Sequence, residues 1–490
     1  MSAYLFVDPE YFESIHRYEH TPEFERVLTD VLPEGWTVER EGTWLHASTP
    51  WRRYPDQGFK LHVSVTPDDA EAVLRRVAEV CRDESTAFKC AADPRLLAHL
   101  NSKRASRGSS GKFMTIYPES HAAFLRLAER VREATEGVEG PYILSDRRVP
   151  GSRCVFYRYG GFVRVAKLRP DGQTEAQIRG LDGTPFSDYR RPYFTLPDGV
   201  EDPFPPEDEG DDETLLIGGR FEVSEALAFS NTGGVYLATD HATGDEVVLK
   251  EARPHTNAWS LQDGYLDGVG LLEHEDAVLR ALDGTGVTAR PLGLHTAWEH
   301  TFLAQSVVPG EPLRTFRARP ENALSRTVFD PEAVAAFCET FRAVARGLLD
   351  AVEAIHARGV LIGDLSHNNV MVDPDTLEVG IIDLESAHRA DDAIAEMARR
   401  WYTPGFRPLG EVGRRPVTPA DDWYAAGMAL YSLVMASQAL TRLAPESAPR
   451  FMARFVEAGL PAWVRDVVAD VVAAEPEAAR ERLAREAVAA

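Results

Sequence analysis

The chain has 490 residues and a formal net charge of -24 at pH 7. This length predicts two or three domains, and the acidic balance argues against a general nucleic-acid-binding protein, which needs clustered Lys and Arg. The four cysteines form no CxxC pair, which argues against a zinc site or disulfide framework, and no apolar run is long enough for a bilayer, so we expect a cytoplasmic protein without a membrane segment.

The first part of the chain predicts an α+β domain, which we place at residues 1–196. GFKLHVSVT and GKFMTIYP have the composition of strands, whereas DDAEAVLRRVAEVC and ESHAAFLRLAERVREA repeat apolar residues at helical spacing. In the first of these strands Lys60 and His62 alternate with apolar residues, so both side chains point to the same face. For one strand, a solvated polar face is the simpler interpretation.

Further cationic and phenolic residues follow in the same domain and favour an anion pocket. They lie in TAFKC, ASRGSSGKFMTIYP and ILSDRRVPGSRCVFYRYGGF, and they comprise Lys89, Arg107, Lys112, Tyr117, Arg147, Arg148 and Arg158. The stretch RGSSGKF resembles a phosphate-binding P-loop, but Ser106 and Phe113 occupy positions where that motif needs Gly and Ser or Thr. We therefore predict no P-loop here.

Residues 197–214 predict an acidic, proline-rich linker. From Glu201 to Glu213 eight positions are acidic, three are Pro and none is Lys or Arg. Such a segment cannot bury enough apolar surface to fold alone. After it, short strands precede long helices, which is typical of a two-lobed protein kinase. We expect a small β-rich lobe over about 215–305 and a helical lobe over 306–490.

The β-rich lobe predicts a nucleotide site. FSNTGGVYLATD joins two strands through a turn where the amides of Gly233 and Gly234 could lie over phosphates, although a Gly-Gly hairpin is usually only a hairpin. EVVLKEA ends a strand at Lys250, where kinases keep the lysine that contacts the α- and β-phosphates. The helix LLEHEDAVLRAL offers Glu275 as the partner of Lys250, with Glu273 as the competing choice.

The strongest motif is GVLIGDLSHNNVMVDPDTLEVGIIDLESA, which has the spacing of a kinase catalytic loop and its metal-binding aspartate. Asp364 would accept the proton of the attacking hydroxyl. Asn369 and Asp383 would bind a metal, which we expect to be Mg²⁺, with ATP or GTP as the nucleotide. DDWYAAG matches the helix that anchors this loop through Asp422 and Gly427.

Several positions depart from the usual kinase pattern. Ile-Gly replaces the His-Arg before Asp364, Asp-Leu-Glu replaces Asp-Phe-Gly, and Ser366 stands where many protein kinases have a Lys near the γ-phosphate. No convincing phosphorylated activation segment follows. We expect a constitutively active kinase with a dedicated substrate. A pseudokinase is the alternative, and the retention of the nucleotide-site lysine with all three catalytic-loop residues counts against it.

Both halves of the chain resemble class III lanthipeptide synthetases of the labyrinthopeptin type. The resemblance rests on motifs that occur in order along the chain: FKLHVSVT, AFKC, NSKRASRGSSGKFMTIYP, PYILSD, YRYGGF, FSNTGGVYLATD, VVLKEARPH and GDLSHNN. It implies a phosphoserine/phosphothreonine lyase domain followed along the chain by a kinase domain. The kinase would phosphorylate a ribosomal precursor peptide that carries a leader, and the lyase would then eliminate the phosphate. The products would be dehydroalanine or dehydrobutyrine.

The front domain is also similar to bacterial effector phosphothreonine lyases, whose strand carries Lys-x-His. By motif, His62 would be the general acid and Lys89 the general base. Nearby cations would lower the pKa of this lysine, which must be neutral to act as a base. Phosphate or substrate contacts are implied for Lys60, Arg107, Tyr117, Arg158 and Arg148, the last with its neighbour Arg147 as the alternative.

The family pattern continues with a lanthionine cyclase, for which this chain offers no region after the kinase. We expect either a truncated chain or a separate cyclase protein, and we predict no ring formation for these residues. Two other functions compete. One is a Ser/Thr protein kinase with a non-catalytic front module. The other is a small-molecule phosphotransferase, against which the Lys-x-His strand and the arginines count.

Overall fold

A computed structural model describes most of the chain between residues 17 and 488. The described residues are 17–49, 55–103, 105–106, 108–163, 165–180, 183–188, 191, 193–205, 216–261, 264–320, 330–408, 410, 412–435, 440–441 and 444–488. Within them the chain forms a front domain and a two-lobed domain behind it, which is the order predicted from the sequence.

The front domain is built on a seven-stranded antiparallel sheet. Its strands are β1 (Thr37–Glu41), β2 (Trp44–Ser48), β3 (Gln57–Val63), β4 (Phe88–Ala91), β5 (Met114–Ile116), β6 (Arg147–Arg148) and β7 (Val155–Gly161). Their spatial order is β1-β2-β4-β5-β3-β7-β6. Four helices accompany the sheet: α1 (Glu23–Val31), α2 (Ala70–Asp83), α3 (Pro94–Leu100) and α4 (His121–Ala134).

The two faces of this sheet differ in chemistry. On one face Leu61 and Val63 of β3 are fully buried in the same apolar core as Val77 of α2 and Leu127 of α4. Side chains alternate along a strand, so Lys60 and His62 of β3 point to the other face, as predicted. The helices thus pack on the apolar face of the sheet, and Lys60 and His62 lie on the opposite, polar face.

A small three-stranded sheet and the start of the predicted linker complete the front domain. The sheet contains β8 (Ala166–Leu168), β9 (Thr174–Arg179) and β10 (Pro185–Ser187). Phe204 packs against Tyr157 in the core, and the Tyr157 hydroxyl donates to Asp202 at 2.6 Å. Residues 202 and 204, which belong to the predicted linker, therefore contact the core of the front domain, and the boundary at 196 stays a prediction. The acidic composition of the predicted linker gave no sign of these two contacts, the packing of Phe204 and the hydrogen bond to Asp202.

The β-rich lobe begins with β11 (Phe221–Phe229), β12 (Gly234–Asp240) and β13 (Glu246–Ala252). A hairpin of β14 (Trp259–Leu261) and β15 (Gly264–Leu266) precedes α5 (Gly268–Leu282), and β16 (Pro291–Ala297) and β17 (His300–Ser306) follow. The five main strands are ordered β11-β12-β13-β17-β16. This arrangement puts β13, the predicted lysine strand, in the centre of the sheet.

The second lobe is mostly helical. Its elements are β18 (Glu311–Pro312), α6 (Leu313–Ala318), α7 (Pro331–His356), β19 (Val370–Val372), β20 (Val379–Ile381), α8 (Ala395–Ala398), α9 (Pro419–Val434), α10 (Ser447–Glu457), α11 (Ala462–Val472) and α12 (Pro476–Val488). Helix α9 begins with a capping box between Thr418 and Asp421 and has Pro at its first position. No helix in the described part of the chain is both long and apolar enough to cross a membrane.

Gly427 lets α9 approach α11 closely. A Cβ atom at this position would lie 2.5 Å from Cγ2 and 2.7 Å from the backbone nitrogen of Val472. We predict that Gly427→Val lowers the free energy of unfolding by about 2 kcal/mol, because the backbone of α11 would have to move. Urea unfolding followed by circular dichroism measures this. The control is Ala420→Val on the exposed side of α9, and equal losses in both variants would contradict the prediction.

Candidate functional site

Five strands of the front sheet each place one residue in a single row. The Cα partners run from Lys89 through Thr115, His62 and Phe156 to Arg148. Directly paired residues present their side chains on the same face. Lys89 and His62 therefore share the polar face with one strand between them, and at the usual strand spacing their Cα atoms lie about 10 Å apart. The predicted base and acid are on one side of the sheet.

His62 is buried against the carboxylate of Asp146. Its Nδ1 forms a hydrogen bond with Asp146, and neither side chain is more than 5% exposed. Burial lowers the pKa of His62 to about 3, with a smaller contribution from Lys112, although Asp146 acts in the opposite direction. The imidazole is therefore neutral at pH 7. Its Nδ1–H donates to the carboxylate, which leaves Nε2 as the acceptor of the ring.

Asp146 stays ionised although it is buried. Burial by itself would raise its pKa, but Lys112 and His62 outweigh burial and lower the pKa well below the usual range. Nζ of Lys112 lies 3.5 Å from Oδ1 of Asp146, and the Ser145 hydroxyl donates to the same oxygen at 2.7 Å. The carboxylate thus has partners on both oxygens, and it fixes the orientation of the histidine ring.

Lys60 and Arg158 lie on the same face, each two residues along its strand from the row that contains His62 and Phe156. They are Cα partners, and they are 6% and 5% exposed. Nζ of Lys60 donates to the carbonyl of Gly161 at 2.6 Å and lies 5.9 Å from the centre of the Tyr117 ring. Arg158 forms a buried ion pair with Asp188. A phosphate would have to compete with this carboxylate for the guanidinium group.

Arg148 makes a contact between the domains. Its guanidinium forms two hydrogen bonds of 2.7 Å to the carboxylate of Glu299, in the turn between β16 and β17. The guanidinium group predicted to contact phosphate is thus paired with a carboxylate of the kinase domain. The alternative, Arg147, forms an ion pair with Asp202. Arg107, another predicted phosphate contact, lies outside the described residues.

A second site lies between the two lobes of the rear domain. Nζ of Lys250 is 2.7 Å and 2.9 Å from the two carboxylate oxygens of Glu275, and 2.9 Å from Oδ1 of Asp383. Burial acts to lower the pKa of Lys250, but the two carboxylates reverse the effect and raise it, so the ammonium form persists. Glu275 also accepts a hydrogen bond from the amide of Leu384 at 2.9 Å. Glu275 is thus the partner of Lys250 and links it to the Asp-Leu-Glu segment that begins at Asp383.

Asp422 of α9 anchors the backbone of the predicted catalytic loop. Its carboxylate accepts hydrogen bonds from the amides of Ile362 and Gly363, at 2.8 Å and 3.0 Å. Within the loop, Nδ2 of Asn369 donates to the carbonyl of Asp364 at 3.0 Å. These contacts agree with the anchoring role predicted for Asp422. They restrain the backbone of the loop that carries Asp364 and Asn369.

The glycines of the β11–β12 turn, which are predicted to lie over phosphates, donate their amides to side chains of the protein. The amide of Gly234 donates to the Glu251 carboxylate at 2.8 Å, and the amide of Gly233 donates to the Ser230 hydroxyl at 3.3 Å. A Cβ atom on Gly233 would lie 1.8 Å from the carbonyl oxygen of Glu251. Gly233 is needed for this close approach, and the amides of both glycines donate to side chains of the protein.

The residues present fit a bound Mg²⁺ ion. Because Nδ2 of Asn369 is used within the loop, its Oδ1 is the atom left to face a cation, and Asp383 supplies carboxylate oxygens nearby. Mg²⁺ in phosphate-transfer sites takes one or two protein oxygens and fills its shell with substrate phosphates and water. The described residues contain no group of three or more His, Cys, Asp or Glu that could hold a metal ion.

Two carboxylates of the front site, Asp146 and Asp188, had not been predicted. They lie 84 and 30 residues away from their partners His62 and Arg158, so no local spacing connects them. A signal existed for Asp146, which stands next to the two adjacent arginines in ILSDRR. An acid beside such a basic pair in an apolar stretch needs a partner when buried.

Comparison with known protein families agrees with this division. Residues 24–214 match the family described as "RamC, N-terminal domain", and residues 221–448 match the protein kinase domain. The chain joins a RamC N-terminal domain to a protein kinase domain. These matches confirm the predicted order of the two folds, and the first match includes the residues predicted as a linker.

Three curated proteins are similar to the chain. Probable SapB synthase of Streptomyces coelicolor is 38% identical over 413 residues, which are 83% of this chain and 43% of that protein. Serine/threonine-protein kinase PknG of Mycobacterium leprae is 24% identical over 225 residues, 45% of this chain and 26% of that protein. Serine/threonine-protein kinase pim-2 of Danio rerio is 22% identical over 220 residues, 44% of this chain and 67% of that protein. The chain thus spans less than half of SapB synthase.

Burial of His62 in the RamC N-terminal domain makes stability depend on pH. The pKa is about 3 in the folded protein against a usual 6.5, so between these values the unfolded chain binds the extra proton and stability falls as pH drops. We predict that His62→Gln, which cannot titrate, loses less stability between pH 7 and pH 5, by on the order of 2 kcal/mol. Urea unfolding at the two pH values measures the difference, with the exposed His241→Gln as control. Equal pH sensitivity of wild type and His62→Gln would exclude a neutral, buried imidazole.

Proposed function

We propose that the chain is a bifunctional lanthipeptide dehydratase. The kinase domain would phosphorylate Ser and Thr of a ribosomal precursor peptide, and the RamC N-terminal domain would then eliminate phosphate to leave dehydroalanine or dehydrobutyrine. One observation carries the proposal: Lys89 and His62 share the polar face of a sheet with buried cations, in the same chain as an assembled kinase site. The similarity to SapB synthase supports it.

The first reaction uses the groups between the kinase lobes. Asp364 accepts the proton of the Ser or Thr hydroxyl while its oxygen attacks the γ-phosphorus, and the bond to the bridging oxygen of the nucleotide breaks. Lys250, held by Glu275, contacts the α- and β-phosphates. Asn369 and Asp383 would hold Mg²⁺, which neutralises phosphate charge when bound. The nucleotide is ATP or GTP.

The second reaction breaks the bond between the peptide and phosphate, a far better leaving group than hydroxide. Lys89 as a neutral amine takes the α-proton, the electron pair forms the Cα=Cβ bond, and the Cβ–O bond breaks while His62 gives a proton to the departing oxygen. The nearby negative charge of a phosphate group raises the low pKa of His62 towards the protonated form that this step needs. The ammonium of Lys89 lies 4.3 Å from the centre of the Trp44 ring, so it must lose a proton and leave this contact to act as the base.

The expected partner is a ribosomal precursor peptide with its leader. The second candidate function is a Ser/Thr protein kinase whose front domain only binds or regulates. The ion pair between Arg158 and Asp188 favours this second function, because it occupies a guanidinium that the lyase would use for phosphate. Direct elimination from a phosphopeptide distinguishes the two functions.

Two variants separate the reactions when protein, precursor peptide, Mg²⁺ and nucleotide are incubated and the peptide mass is measured. Wild type should give successive losses of water. Asp364→Asn should leave the peptide unmodified, because no base accepts the hydroxyl proton. Lys89→Ala should accumulate phosphopeptide, because phosphorylation continues without elimination. The exposed Lys167→Ala is the control and should behave as wild type. Normal dehydration by Lys89→Ala would overturn the base assignment.

A further inference from the structure

A loop of the front domain lies on the nucleotide side of the kinase domain. We call it the bridging loop, and its described residues are Asn101, Ser102, Lys103 and Ala105. It follows α3 and is held by hydrogen bonds to two asparagines of the kinase domain, Asn231 and Asn257. These contacts bring a segment of one domain against the site of the other.

Asn231 binds the bridging loop through both its backbone and its side chain. Its amide donates to the carbonyl of Lys103 at 3.3 Å, and its Nδ2 donates to the carbonyl of Ala105 at 2.5 Å and more weakly to that of Ser102 at 3.4 Å. Asn231 belongs to the turn between β11 and β12, which caps the nucleotide site in kinases. The bridging loop therefore holds that turn in place.

Asn257 forms the second attachment. Its amide donates to the carbonyl of Asn101 at 2.7 Å, and its Oδ1 accepts a weak hydrogen bond from the amide of Lys103 at 3.4 Å. Its backbone is in the left-handed region with φ of 53°, which is uncommon outside glycine. Asn257 follows the strand that carries Lys250, so both attachments flank the nucleotide site.

The side chain of Lys103 extends from the bridging loop into the kinase site. Its Nζ lies 2.8 Å from Oε1 of Glu385, the last residue of the Asp-Leu-Glu motif. Two residues earlier in that motif, Asp383 binds Lys250. The carboxylate that replaces the usual glycine is thus paired with a cation from the other domain.

We propose that Lys103 is a positioning residue of the kinase site, which the front domain completes. An unpaired Glu385 carboxylate near Asp383 would repel the phosphates of a nucleotide, and the ion pair with Lys103 cancels that charge and restrains the side chain. The bridging loop adds a fixed position for the β11–β12 turn. This inference rests on the kinase half of the proposed function and extends it, because nucleotide binding then depends on docking of the front domain.

The test is direct binding of a fluorescent ATP analogue with Mg²⁺ to the full chain, measured without peptide. Lys103→Met keeps the length of the side chain and removes its charge, and we expect its dissociation constant to rise about tenfold. Lys103→Arg should remain within about threefold of wild type. In the double variant Lys103→Met/Glu385→Gln, affinity should return to near wild type, because no carboxylate remains to be neutralised.

The matched control is Lys167→Met, which makes the same substitution at an exposed lysine of β8, outside the bridging loop. It should bind the analogue as wild type does. Unchanged affinity of Lys103→Met would overturn the proposal, and so would a double variant as weak as Lys103→Met. If wild type itself fails to bind the analogue, the proposed kinase function fails instead, so the two failures are distinguishable. Thermal unfolding of each variant identifies any loss caused by misfolding, and Lys103→Gln then replaces the methionine variant.

Discussion

Pairing of buried cations with carboxylates is the constraint on which both halves of this chain depend. A buried charge without a partner costs several kcal/mol, and removing one member of a buried pair is strongly destabilising. In the front domain Asp146 forms an ion pair with Lys112 and a hydrogen bond that orients His62. In the kinase domain Glu275 and Asp383 form ion pairs with Lys250. A phosphate site needs a high density of positive charge, and these carboxylates make that density compatible with folding. They also compete with the substrate, so binding of an anion must exchange partners within the site.

The same principle links the two domains. Lys103 pairs with Glu385, and Arg148 pairs with Glu299, so each contact joins a cation of the front domain to an anion of the kinase domain. In the kinase domain Lys250 is already hydrogen-bonded to Glu275 and to Asp383, the predicted metal ligand. Asp383 has a positive φ of 61°, a backbone conformation that persists only where the surroundings determine it.

Features set by local patterns were predictable from the sequence, and features set by distant contacts were not. Alternation in GFKLHVSVT correctly put Lys60 and His62 on one face, and the helical spacing of LLEHEDAVLRAL identified Glu275 as a candidate partner of Lys250. Asp146 and Asp188 were missed because they reach their partners across the sheet from elsewhere in the chain. The same limit applies to the glycine turn, where a side chain from β13 takes the amide of Gly234. The low pKa of His62 depends on complete burial, which one strand pattern cannot reveal.

The central claim is that the front domain is a lyase and not a passenger of the kinase. It is tested most directly by giving the full chain a synthetic phosphoserine peptide without any nucleotide. Release of inorganic phosphate and the mass of a dehydroalanine peptide should be observed with wild type and with Asp364→Asn, and both should be lost in Lys89→Ala. A phosphopeptide that remains intact with the correctly folded wild-type protein would contradict the account.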